Sequence, residues 1–169
     1  MKLIYRYGII ISIILVVVFT TTPGSFPNII IVVAGQGEDN IQLLNSSKEF
    51  IINLFNQVNN LSNSYQNTLV NQNYNQSIDN NLTIASETDE YIDSLERIIR
   101  EAKKYNLQEE YKPVFNSYIH SLQNEVNSYI HYKNYLLTGN NTENTISINL
   151  LSKAYDFETE AIKNFNELQ

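Results

Sequence analysis

The sequence predicts an all-α protein: an up-down-up-down antiparallel four-helix bundle preceded by an N-terminal apolar signal or anchor helix. Three observations point there. Between residues 38 and 169, four stretches repeat apolar side chains at the helical period of about 3.6 residues. After Gly37 the only glycine is Gly139 and the only proline is Pro113, so little interrupts long elements. No stretch alternates apolar and polar residues convincingly at period two, so no sheet is predicted.

The chain divides by composition into residues 1–37 and residues 38–169. Lys2 and Arg6 make a short basic start, and Ile9 to Phe19 is apolar at every position except Ser12. Thr20-Thr21-Thr22 and Pro23-Gly24 follow, then a second apolar run, Ile29 to Ala34. A basic start followed by an apolar run reads as an export signal. Two readings stay open. In one, the segment is cleaved after Val32-x-Ala34, or less favourably after Thr22-x-Gly24. In the other it is retained, since Leu3 to Thr22 makes about 30 Å of helix, enough to span a bilayer. Both place the C-terminal part outside the cytoplasm. Lys2 and Arg6 stay inside, and the far side carries Glu38 and Asp39 rather than bases.

The first predicted helix carries Ile51, Leu54, Val58, Leu61, Tyr65 and Leu69, opened by Ser46-x-x-Glu49, a capping-box pattern. The second carries Ile78, Leu82, Ala85, Ile92, Leu95, Ile99 and Ala102. Its charges are sorted along its length: Glu87, Asp89, Glu90 and Asp93 come early, Arg97, Arg100, Lys103 and Lys104 late, which complements the helix dipole. The third carries Tyr111, Phe115, Tyr118, Leu122, Val126, Tyr129 and Leu136; the fourth carries Ile148, Leu151, Tyr155, Ile162 and Phe165. Polar breaks fall at Asn75-Gln76-Ser77, Tyr105-Asn106-Leu107 and Thr138-Gly139-Asn140-Asn141. Helices of about 25–30 residues with short connections make antiparallel neighbours. Over about residues 40–168 this layout resembles the extracytoplasmic four-helix-bundle sensor modules of membrane receptors, a likeness of architecture that rests on no shared motif.

Composition excludes several functions. The absence of Cys removes a disulfide framework, Cys-ligated metal sites, a thiol nucleophile and an acylated lipoprotein Cys. Lys2 and Arg6 leave nine basic residues against eighteen acidic ones after residue 37, a net charge of −9 that argues against a nucleic-acid partner. There is no Gly-rich phosphate loop and no Gly-x-Ser-x-Gly elbow. Nor is there a Glu-x-x-His pair: Ser117 precedes His120 and Ser128 precedes His131 at that spacing. No enzyme activity, cofactor or metal site is therefore predicted.

One local echo stands out. Asn116-Ser117-Tyr118-Ile119-His120 recurs as Asn127-Ser128-Tyr129-Ile130-His131, eleven residues on, close to three helical turns. The tyrosines fall on the apolar stripe and the histidines nearly opposite, which predicts solvent-facing histidines about 16 Å apart, too far to share a metal. Three polar residues interrupt apolar stripes: Gln72, Lys133 and Glu158. Lys133 with Tyr129, and Gln72 at similar height, make a candidate pocket for a small anion. Tyr132 and Tyr135 lie off the stripe as candidate contact residues. Asn-x-Ser/Thr sequons at Asn45, Asn60, Asn75, Asn81 and Asn140 are candidate N-glycosylation sites on an exported chain.

These readings predict an exported or membrane-anchored cell-envelope protein, held at the membrane by its N-terminal segment. Its outer domain has a structural or protein-binding role toward an envelope partner. The alternative is an extracytoplasmic anion sensor or solute-binding module acting through a separate membrane partner.

Overall fold

A computed structural model describes residues 40–71 and 78–168, with side chains over 46–70 and 80–168. The predicted signal or anchor in residues 1–37 lies outside these, as do Gln72 and Asn75 and the side chains of Asn45 and Ile78. The chain forms two units, Met1–Gln42 and Leu43–Gln169, and the helical core belongs to the second. The described residues form four α-helices and no strand: α1 (Asn40–Asn71), α2 (Ile78–Ala102), α3 (Lys112–Thr138) and α4 (Asn141–Glu167). Among the described residues no helix is long and apolar enough to cross a membrane.

The helix ends follow local chemistry. Beyond Ala102 the chain leaves α2 through Lys103–Tyr105, and Leu107 turns inward and is buried. The Gln108 N–H donates to the Ser47 hydroxyl of α1, and the Tyr105 hydroxyl donates to the Ser46 carbonyl. A single 3-10 turn, Glu109–Tyr111, leads into α3, which opens with a proline in its first turn, where a missing N–H costs nothing. Gly139, at φ +70°, ends α3 in the left-handed conformation that L side chains rarely adopt. Asn140 then caps α4, its Oδ1 accepting from the Thr142 N–H at 3.0 Å. The capping box expected at Ser46-x-x-Glu49 is not used. Helix α1 begins at Asn40, so both residues lie within it, and Ser47 anchors the α2–α3 connection instead.

The interior is aromatic where α1 meets its neighbours and small where α3 meets α4. Phe55 of α1 meets Tyr118 edge-on at 4.4 Å and Phe165 at 5.8 Å. Phe50 stacks on Tyr105 at 4.0 Å. On α4 the buried positions include Ser147, Ala154 and Ala161, at seven-residue intervals; Ser147 meets Ser128 of α3, where Ser121 is also buried. Small side chains let two helices approach closely. The buried Ser128 hydroxyl donates to the Ser147 carbonyl at 2.8 Å, and the two hydroxyls lie 3.1 Å apart.

Two stripe residues prove exposed. Leu82 is 53% exposed, because the buried face of α2 runs through Ile84 and Thr88, and two residues turn a helix by about 200°. Tyr155 is 44% exposed, because the adjacent Ala154 takes the seam position. A second correction concerns α3, which is buried on two faces, toward α1 and α2 and toward α4. His131, expected in solvent, is therefore half-buried, with Nδ1 2.7 Å from Oε2 of Glu143 on α4. His120 stays exposed, its ring 5.5 Å from Phe157.

Candidate functional site

The most chemically distinctive region lies in the middle of the helices. Tyr65 of α1 and Tyr91 of α2 stack at 4.5 Å, and Tyr129 of α3 meets both edge-on, at 5.5 and 5.0 Å. These offset and edge contacts suit aromatic quadrupoles. The hydroxyls are ordered in two chains. Thr88 donates to the Ile84 carbonyl, so Tyr65 must donate to Thr88, at 2.8 Å. Tyr91 donates to Glu125 Oε1 at 2.7 Å, so the Ser62 hydroxyl donates to Tyr91, also at 2.7 Å.

Glu125 therefore ends a relay that starts on α1 and crosses α2 to α3. Burial pushes its carboxyl above the ordinary range, opposed by the hydrogen bond from Tyr91. On α4, Glu158 lies four residues after Ala154 and three before Ala161, on the helix face that meets α3. Its carboxyl is pushed up to about 7, first by burial and then by the negative charge of Glu125. Burial first, and these carboxylates second, hold the Tyr91 and Tyr118 phenols neutral well above their ordinary range. Among the described residues no basic side chain pairs with either carboxylate. Among the described residues no group of three or more His, Asp or Glu could hold a metal.

The predicted pocket residues are only partly brought together. Tyr129 belongs to the tyrosine cluster. Lys133, one turn on, donates to Oδ1 of Asp89 on α2 at 2.5 Å, with its side chain 25% exposed. Its charge is met by a carboxylate of the protein. Gln72 lies outside the described residues. Tyr132 and Tyr135 are half-buried, their rings 6.5 Å apart. Of the sequons, Asn60, Asn81 and Asn140 are exposed. A shallow depression beside Asp93, Ser94, Glu96, Arg97 and Arg100 is lined by one helix with charges of both signs.

Glu158 stands out in the sequence as a stripe residue, whereas Glu125 does not. A signal for Glu125 is present all the same: it lies three residues after Leu122 and four before Tyr129, both on the predicted stripe. No protein-family model, curated protein or solved structure matches the chain.

Proposed function

We propose that this chain is an exported or membrane-anchored cell-envelope protein. In this reading its helical domain lies outside the cytoplasm and serves a structural or protein-binding role. The observation that carries the proposal is the order of charge at the N-terminus: Lys2 and Arg6, then the apolar run from Ile9, then only acidic residues before Lys48. An up-down-up-down order of the four helices is supported by their contacts. Ser62 with Tyr91 and Tyr65 with Thr88, like Ser128 with Ser147 and His131 with Glu143, pair rising numbers on one helix with falling numbers on the next. A core filled by stacked tyrosines favours a scaffold or contact role over a solute-binding one. The anion-sensor reading has less support, since Asp89 already occupies the ammonium of Lys133. The exposed sequons at Asn60, Asn81 and Asn140 are accessible to modification on that side.

Protease treatment of intact cells producing a C-terminally tagged chain tests this reading. The tag is expected to be removed without lysis, and the outer domain, used as bait, to retain a protein from native envelopes. A tag protected in intact cells and lost only on lysis would overturn it.

A further inference from the structure

The outward face of α2 carries charges that the chain itself leaves unpaired. Leu95 is fully buried, and the opposite face of the helix runs through Ser86, Glu90, Asp93, Arg97, Arg100 and Lys104. All six are exposed. They follow one another at intervals of four, three, four, three and four residues, which keeps them in one line along the helix. Acids fill the first half of that line and bases the second. Among the described residues Glu90, Asp93, Arg97 and Arg100 form no ion pair, although Asp93 and Arg97 have the spacing of an intrahelical one. Neighbouring charges do find partners, Asp89 in Lys133 and Lys104 in Glu101. The helix dipole acts within the first and last turns. It accounts for Arg100, in the last turn, but not for Glu90, Asp93 or Arg97 in the interior of a 25-residue helix. The shallow depression beside Asp93, Arg97 and Arg100 lies at the middle of the line.

We propose that this face is where two copies of the chain pair, their α2 helices antiparallel about a two-fold axis level with Leu95. The charges are self-complementary about that point. Asp93 and Arg97 lie equally far from Leu95 on either side, and so do Glu90 and Arg100. In the pair, Asp93 of one copy meets Arg97 of the second, and Glu90 meets Arg100. A two-fold axis makes each contact occur twice, so all four charges are matched on both copies. Uncharged Ser86 faces Lys104 at either end. A parallel pair in register sets acid on acid and base on base, so the pattern also fixes the orientation. Each copy carries a net charge of −7, which repels at a distance. At about 0.1 M salt the screening length is about 10 Å, so that repulsion is largely screened while side chains in contact still attract. Exposed ion pairs are individually weak, and the face carries no apolar core, so the pair is a reversible, exchanging dimer. It does not rest on the proposed location of the domain.

Two charge variants of the full chain, in mild detergent at about 0.1 M salt, test the contact. Glu90→Arg with Asp93→Arg makes the line wholly basic; Arg97→Glu with Arg100→Glu makes it wholly acidic. A tagged copy is used to capture an untagged one, and far-ultraviolet circular dichroism checks that each variant keeps its helix. Wild type is expected to capture wild type. Each variant should capture itself about tenfold less, because like charges then face each other, and the two variants mixed should recover capture to the wild-type level or above. Salt at about 0.5 M should shrink these differences. Absence of wild-type capture overturns the contact. So does capture that is equal in every combination, as association through the apolar N-terminal segment alone would give, and so do mixed variants that stay apart. Ser94→Cys gives a second reading that leaves every charge in place. The chain has no Cys, and residue 94 lies beside the proposed axis, so a mild oxidant should join two copies through it several times faster than through Ser152→Cys on the exposed face of α4. Equal rates at the two positions overturn the contact whether or not the charge variants fold.

Discussion

Two regions of the same interior obey different rules. Beside the α2–α3 connection, Ile51, Leu107, Tyr111, Val114 and Phe165 pack as a largely apolar cluster, edged by Phe50 and Phe55. In the middle of the helices, Tyr65, Tyr91 and Tyr129 pack ring against ring, and hydroxyl chains run from Ser62 through Tyr91 to Glu125 and from Tyr65 to Thr88. The apolar cluster stabilises through area removed from water, which titration in the neutral range does not alter. The middle fixes how α1, α2 and α3 meet through directed hydrogen bonds, one of them to the half-buried Glu125 carboxylate, which has no basic partner among the described residues. The contrast teaches that one core can contain a part insensitive to pH and a part governed by it.

The largest expected effect lies in the apolar region. Ile51 is fully buried, and Ile51→Ala should destabilise the fold by about 2–5 kcal/mol. That loss should be the same at pH 5 and pH 8 in denaturant titrations; a loss that changed with pH would break the comparison. Tyr91→Phe probes the other region. It removes the donor to Glu125 and the acceptor for Ser62 and should cost about 1–3 kcal/mol. The loss should be greater at pH 8, where Glu125 is more fully ionised, and its absence there would show that the relay does not stabilise that charge. Lys133→Met should have the smallest effect, under about 1 kcal/mol, because its partner Asp89 is half exposed. Added salt should shrink the difference further. A large effect insensitive to salt would mean that Lys133 does more than pair with Asp89.

The four helices were legible because large apolar side chains recur with the helical period and Gly139 and Pro113 mark real boundaries. The α1 stripe is buried or half-buried throughout the part whose side chains are described. The seam between α3 and α4 was not legible in the same way. Its positions are Ser and Ala, which carry no large apolar signal, so the apolar stripe runs through Tyr155 where the buried position is Ala154. The phase of His131 failed for the same reason, since a helix with two buried faces has less solvent side than one stripe implies. Thr88 and Glu125 were hidden by polarity: Thr88 is buried and Glu125 half-buried, and each is bonded to a tyrosine hydroxyl from another helix. The Lys133 position was found, but its partner is forty-four residues away in sequence, and only the fold brings Asp89 to it.

The most direct measurement of the account is a carbon-13 NMR titration of the glutamate side-chain carboxyls in the intact folded chain. The midpoint of Glu158 is predicted at about 7, with that of Glu125 above the ordinary carboxylate range. Glu143 should titrate below that range. Midpoints for Glu125 and Glu158 near the exposed-glutamate value of about 4.3 would contradict the account, because the middle of the core would then bury no proton-sensitive charge.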